Sequence, residues 1–172
     1  YVEKILFNTR RLSALTGNIL LLSKLSNQSI LPQKTQFRLD EQIRQAIVAL
    51  EQKWSEKELG FEVELAETPF FGYESLLPHV WTNLIGNAVK FSPKGGEIRI
   101  KMMRTEGAVV FTIEDDGPGI VPGDEEHIFT KFYQSEFSHG MEGNGLGLAL
   151  VRQIVEMSGG SVDVQNLEAG GC

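Results

Sequence analysis

Two glycine-centred turns constrain this chain more than any other feature. Asp115-Asp116-Gly117-Pro118-Gly119 closes an alternating run carrying Val109, Phe111 and Ile113, and Gly143-Asn144-Gly145-Leu146-Gly147-Leu148 opens a helical one. A turn that ends a strand and a turn that starts a helix imply helices layered on a sheet. The 172 residues suffice for one good-sized core and an appendage. A net charge of −7 argues against nucleic acid as a partner, because phosphate backbones are met by clustered Lys and Arg. The single cysteine, Cys172, is the last residue, so a reducing compartment is expected. No run approaches the roughly 18 apolar residues of a membrane span, and no signal-peptide layout opens the chain. Both ends look cut, so a fragment of a longer protein is expected.

Periodicity predicts a long helix over residues 1 to 27, with Ile5, Leu12 and Ile19 recurring every seven residues between Leu15 and Leu22. So narrow a seam calls for partner helices, although an ordinary core helix has the same pattern. Residues 26–35 read as a linker. Asp40 reads as the N-cap of a helix carrying Ile43, Ile47, Leu50 and Trp54 and ending near Gly60. A strand follows at 61–65, broken by Thr68-Pro69. A second helix begins near Ser75, with Pro78 in its first turn, and stops at Ser92-Pro93. Strands are predicted at 97–104 and 108–114, a long loop or lid at 121–142, a helix at 145–157 and a last strand at 161–165. The fold class expected is α+β, a two-layer sandwich with helices on one face of a mixed β-sheet, preceded by a long helix.

Three pieces of this pattern carry chemistry. His79, Asn83, Asn87 and Lys90 share one face of the helix that begins near Ser75, opposite Val80, Leu84, Ile85 and Ala88. Such a face is normally just solvated, but Glu and Lys would serve that purpose better than two asparagines. An amide oxygen is a hard neutral ligand suited to Mg²⁺, and Lys90 can offset phosphate charge. Asp115 and Asp116 run into glycines that let a flat ligand approach the backbone, and a carboxylate there can accept from an exocyclic amine. A plain turn, a bare metal site or an acid/base pair would use the same residues. The run from Gly143 to Leu148 offers free amides and a helix N-terminus to an anion, yet it matches neither the P-loop nor the dinucleotide fingerprint. Phe129, Phe132 and Tyr133 could pack on a ligand or simply anchor the loop.

The stretch Asn83-Leu84-Ile85-Gly86-Asn87-Ala88-Val89-Lys90-Phe91 resembles the N box of bacterial sensor histidine kinases. Asp115 to Ile120 resembles their first glycine box, Ile128-Phe129-Thr130-Lys131-Phe132 their F box, and the run from Gly143 to Leu148 their second glycine box. The four motifs stand in the family order across roughly residues 36 to 165. The superfamily is the GHKL ATP-binding group, which includes gyrase-type and mismatch-repair ATPases. The resemblance implies ATP bound with Mg²⁺ under a mobile lid. It implies that Asn87 ligates Mg²⁺, Asn83 supports it, Lys90 contacts phosphate and Phe91 lies beside the nucleotide. Asp115 would receive the adenine amine, with Gly117, Gly119 and Ile120 shaping the base pocket. Lys131 and Phe132 would act from the lid. Gly143, Asn144, Gly145, Leu146, Gly147 and Leu148 would embrace the phosphates. Residues 1–30 would form the second helix of a dimerisation hairpin plus linker, and 31–172 the ATP-binding catalytic domain with its last strand truncated.

Two departures matter. None of His79, His127 and His139 fits the phosphoacceptor pattern, so the acceptor histidine is expected on an upstream hairpin helix. Asn83 stands where hydrolysing members of the superfamily tend to have Glu, and an amide cannot take a proton from water. The expected activity is therefore phosphoryl transfer to a histidine outside this fragment, then to an Asp of a response regulator. The expected partners are the histidine-bearing hairpin helix, the regulator and a second copy through the helical arm. The expected location is the cytosolic portion of a membrane-anchored receptor. The alternative is a non-catalytic nucleotide-responsive interaction module of the same fold. An ATPase of the gyrase or mismatch-repair type is opposed by Asn83 and the helical arm.

Overall fold

The computed structural model describes residues 2–26, 31–135, 143–168 and 170–172. They form two compact units, one of residues 1–32 with 121–162, the other of residues 33–120 with 163–172.

The larger unit holds a mixed sheet. Strand β2 (Gly60–Leu65) pairs in parallel with β4 (Glu97–Arg104), which pairs antiparallel with β5 (Val109–Asp115). Helix α4 (Leu77–Phe91) packs on β5 and on α2 (Leu39–Ala49). Its apolar stripe of Val80, Trp81, Ile85, Ala88 and Val89 is buried, as are Ile43 of α2 and Ile98, Ile100 and Met102 of β4. The Trp81 and Phe111 rings lie 4.9 Å apart between centroids. This is the expected mixed sheet with its helical layer, and Pro78 sits in the first turn of α4, where its missing N–H leaves no bond unmade.

Three expectations in this unit are corrected. Asp40 is not an N-cap: α2 begins at Leu39, two residues earlier than a helix capped by Asp40 would, with Arg38 at the cap position and no side-chain cap. The Asp40 carboxylate is instead fully buried and accepts from Arg38, Arg44 and the Thr68 amide. The helix does not run unbroken to Gly60. It breaks at Leu50 into α2 and the short α3 (Glu51–Glu56), and Trp54 Nε1 donates to Ile47 O across the break (2.9 Å). The chain flanking Thr68-Pro69 is not merely a breaker, since β1 (Thr35–Arg38) pairs antiparallel with β3 (Pro69–Gly72). Phe37 faces Phe70 in that ribbon, ring centroids 5.9 Å apart.

In the other unit, α1 (Val2–Ser26) is the long helix expected, and it packs on α5 (Gly147–Met157). Leu22 and Leu25 are buried, whereas Ile5, Leu12 and Ile19 of the seven-residue seam are exposed in the single chain. A short 3₁₀ turn, His127–Phe129, lies against α5, with Arg152 stacked 4.2 Å over the Phe129 ring. Helix α5 ends in a Schellman turn: Gly159 has φ +84°, and Gly160 N–H donates to Val155 O (3.0 Å). The strand expected at 161–165 forms no ladder among the described residues; Val162 and Val164 are half-buried between exposed neighbours, so the alternation is present without the pairing. Of the lid expected at 121–142, residues 136–142, including His139, lie outside the described residues. No helix among the described residues is long and apolar enough to cross a membrane.

Candidate functional site

The larger unit carries the asparagine face and the first glycine turn. Burial of the opposite stripe of α4 turns Asn83, Asn87 and Lys90 to its other side, where all three are half-buried. Asn83 Nδ2 donates to His79 O (2.7 Å), which fixes that amide on its own helix with Oδ1 as its remaining acceptor. The Asn87 amide makes no hydrogen bond among the described residues. Lys90 Nζ lies 4.4 Å from the centre of the Phe91 ring, a cation–π placement. Partial burial lowers the His79 pKa, so that imidazole is neutral at pH 7.

Strand β5 delivers Asp115 as a buried carboxylate. Its Oδ1 accepts the Gly117 amide at 2.8 Å, and its Oδ2 faces Cys172 Sγ at 3.6 Å. Burial raises the Asp115 pKa; the Gly117 amide and the Cys172 thiol pull it down, while Asp116 adds to the rise. The Cys172 thiol is pushed up to about 12, first by burial and then by Asp115, so it remains a thiol and acts as a donor. Asp116 instead ties β4 to the end of β5, where its Oδ2 accepts the Glu97 amide (2.9 Å) and its Oδ1 meets Arg99 (3.5 Å). Of the two adjacent acids, Asp115 is the one whose carboxylate is buried beside the turn.

The turn itself is built around missing side chains. A Cβ on Gly117 would stand 2.5 Å from Asp115 Oδ1 and 3.1 Å from Phe91 O. Gly119 has φ +72°, and a Cβ there would meet Asn166 Oδ1 at 2.7 Å. Asn166 grips Ile120 from both sides, accepting its N–H and donating to its carbonyl, both at 2.7 Å. The segment is closed by Asp115 N–H donating to Cys172 O (2.8 Å) and by Gly171, where a Cβ would fall 1.8 Å from Asp115 O. Sequence patterns do not mark Asn166, Gly171 and Cys172 as part of this turn. The one visible signal is the Gly170-Gly171 pair, whose positive φ values, +95° and +91°, explain it.

The other unit carries the F-box stretch and the second glycine run. Phe132 has φ +66°, rare for a bulky residue, and its N–H donates to Gly145 O (2.8 Å). Gly145, at φ +68°, lies so close that a Cβ would stand 2.6 Å from both Phe132 C and Tyr133 O. The two stretches are therefore locked to each other through main chain. Lys131 and Phe132 are exposed, and Phe129 is buried. Asn144 Oδ1 accepts the Leu146 amide (3.1 Å), and Leu146 is buried. Gly143, Gly147 and Leu148 are half-buried, and Gly147 is the first residue of α5. Helix α5 has no side-chain cap and no acid in its first turn, so its leading amides and dipole offer an anion the positive end of a helix.

A model of the family described as "Histidine kinase-, DNA gyrase B-, and HSP90-like ATPase" matches residues 72–172. The chain is 37% identical over 154 residues to the heme sensor protein HssS of Staphylococcus epidermidis, covering 90% of this chain and 34% of that protein. The solved structure of the Acinetobacter baumannii histidine kinase AdeS matches with a TM-score of 0.84 at 25% identity, over 99% of this chain and 79% of that one. The histidine kinase ThkA, solved in complex with the response regulator protein TrrA, matches with a TM-score of 0.74 at 26% identity, over 95% and 46%. The chain spans about a third of the length of the curated relatives it matches.

Proposed function

The chain belongs to the histidine kinase-, DNA gyrase B- and HSP90-like ATPase family and is homologous to the catalytic domains of sensor histidine kinases, and from that premise we propose that it binds Mg-ATP and passes the γ-phosphoryl group to a histidine outside residues 1–172. The observation that carries this reading is the setting of Asp115. A buried acceptor stands beside a turn whose two glycines leave no room for a side chain, which suits a planar base bearing an exocyclic amine.

In this reading Asp115 accepts from the adenine amine, and Gly117, Gly119 and Ile120 form the surface on which the ring lies. Asn87 supplies an amide oxygen to Mg²⁺, Asn83 holds its neighbour's geometry, Lys90 meets a phosphate and Phe91 flanks the nucleotide. The residues fit the ion: the Asn87 amide makes no hydrogen bond among the described residues, and Mg²⁺ takes few protein ligands beside phosphates and water. When bound, the ion neutralises charge on the phosphates. The run from Gly143 to Leu148 surrounds the phosphates, with the amides of Gly145, Gly147 and Leu148 as donors while Asn144 Oδ1 holds the Leu146 amide, and Lys131 and Phe132 are held next to the run by the Phe132–Gly145 bond. Asn83 cannot accept a proton from water, which disfavours hydrolysis as the main reaction. Catalysis of this kind consists of positioning and charge neutralisation.

Residues 1–30 then serve as the second helix of a dimerisation hairpin plus linker, and 31–172 as the ATP-binding domain. The partners are the histidine-bearing hairpin helix, a second copy and a response regulator; ThkA, whose structure includes the regulator TrrA, supports the last. The whole protein is a membrane-anchored receptor with this portion in the cytosol. The test is phosphotransfer in trans from radiolabelled Mg-ATP to the upstream histidine-bearing hairpin. Label that is lost in acid and survives base supports the reading. An unlabelled hairpin, with Mg-ATP binding intact in the same sample and no transfer in the full-length dimer, refutes the kinase.

A further inference from the structure

Helix α4 ends in a way that leaves its last carbonyls needing partners. Ser92 turns out of the helix, with φ −58° and ψ 139°, and Pro93 follows with no N–H to give back. The partner comes from a distant part of the chain. Lys57 Nζ lies 2.9 Å from Val89 O, 2.7 Å from Lys90 O and 2.8 Å from Ser92 O, so the three donors of one ammonium meet three carbonyls. A cation at this end also complements the helix dipole.

Lys57 is held from behind. Its own carbonyl accepts the Gly95 amide (2.9 Å), and Glu58, at φ +57°, turns the chain so that its carboxylate meets Lys94 (2.7 Å). Lys57 is thus tied to both sides of the 92–96 turn, through its ammonium to Ser92 O and through its own carbonyl to the Gly95 amide. Ahead of it, the end of α4 abuts the glycine turn, because a Cβ on Gly117 would already touch Phe91 O. Gly117 in turn donates to Asp115 Oδ1. A displacement of the α4 terminus therefore moves Lys90 and Phe91 directly and presses on the turn that holds Asp115.

We infer that Lys57 is a positioning residue for nucleotide binding, setting the end of α4 against the Gly117 turn; this rests on the nucleotide-binding reading above. Lys57→Met keeps the aliphatic stem and removes the three donors. Its Kd for Mg-ATP should rise about tenfold, measured well below the variant's thermal midpoint. Hydrogen exchange in the nucleotide-free chain should quicken at the Ser92 and Gly117 amides, a local change that a general loss of stability would not single out. Lys57→Arg keeps the charge with a different donor geometry and should recover most of the affinity. Lys94→Ala breaks only the exposed pair with Glu58 and should bind as the wild type does. If Lys57→Met does not fold, Lys57→Gln is read by the same criteria. A folded variant with wild-type Kd and unchanged exchange at Gly117 overturns the inference while the nucleotide reading stands. A wild-type chain that binds no Mg-ATP overturns both.

Discussion

Asp115→Asn isolates the proposed base reader with almost no change in volume. Asp115 Oδ1 is committed to the Gly117 amide at 2.8 Å, so the variant must keep its amide oxygen there, because the reverse orientation sets donor against donor. The new NH₂ then occupies the place of Oδ2, beside Cys172 Sγ. An adenine amine arriving at that position loses an acceptor and meets a donor. A hydrogen bond to a charged group contributes about 1.5–3 kcal/mol, and a buried donor left unpaired costs a further ~1–3 kcal/mol. The affinity for ATP should fall by about two to four orders of magnitude. Guanine carries a carbonyl where adenine carries its amine and can accept from the new NH₂, so the preference for ATP over GTP should shrink as well. The same change has an opposite effect on the empty protein. Burial raises the Asp115 pKa above its unfolded value, so the native state binds this proton more readily and the ionised form destabilises the fold at neutral pH. The variant should melt at the same temperature as the parent or higher at pH 7. Its advantage should shrink as the pH falls toward the raised pKa, where the parent's carboxyl becomes neutral. Calorimetric titration with ATP and GTP, together with melting curves from pH 7 downward, measures both effects. An unaltered ATP-to-GTP ratio would refute the base role, and a markedly lower melting point would refute the assigned cost of the buried charge.

Two further outcomes follow from the same geometry. Asn87→Ala should abolish the Mg²⁺-dependent part of ATP binding, seen as a Kd that no longer responds to added Mg²⁺; a preserved response would remove Asn87 from the metal. Asp40→Ala should destabilise the fold by about 1–3 kcal/mol through the orphaned Thr68 amide alone, read from urea unfolding monitored at the tryptophans. Hydrogen bonds from Arg38, opposed by burial and joined by the Thr68 amide and Arg44, hold the Asp40 carboxyl well below the usual carboxylate range. Its stabilising contribution is thus complete above the unfolded value near ~3.9 and is lost only as the pH falls through the depressed folded value. A variant whose acid unfolding matches that of the parent would contradict this.

The local motifs were legible because each is written in consecutive residues. The asparagine face of α4 follows from a helical period with Val80, Ile85 and Ala88 on the other side, and the turn after β5 follows from an alternating run stopped by Asp115 and glycines. The residues that hold those motifs in place were not legible. Lys57 reads as a solvated lysine at a helix end, and nothing in its neighbours signals that its three donors close α4. Asp40 has the sequence context of an N-cap, and only the arrival of Thr68 from a distant ribbon makes it a buried acceptor. Strands β1 and β3 are four residues each, too short for alternation to stand out, and Pro69 in β3 reads as a breaker although an edge strand tolerates it. The segment at 161–165 shows the converse, a strand pattern whose neighbour Asn166 spends its hydrogen bonds on Ile120. In each case a partner remote in sequence decided the outcome.

The parallel pairing of β2 with β4 bears on how this protein acquires its activity. An antiparallel neighbour can zip up from a hairpin, whereas these two strands meet only after the chain from Ala66 to Gly96, with β3 and α4 inside it, has been threaded between them. Closing that loop is entropically costly and occurs before the pairing is rewarded, which makes it a slow event in assembly. The asparagine-bearing helix therefore matures in the same step that completes the sheet. Nascent chains emerging from the ribosome should leave α4 unprotected until β4 has been synthesised and docked, and nucleotide binding should wait longer still, for the later-made Asp115 and the run from Gly143 to Leu148.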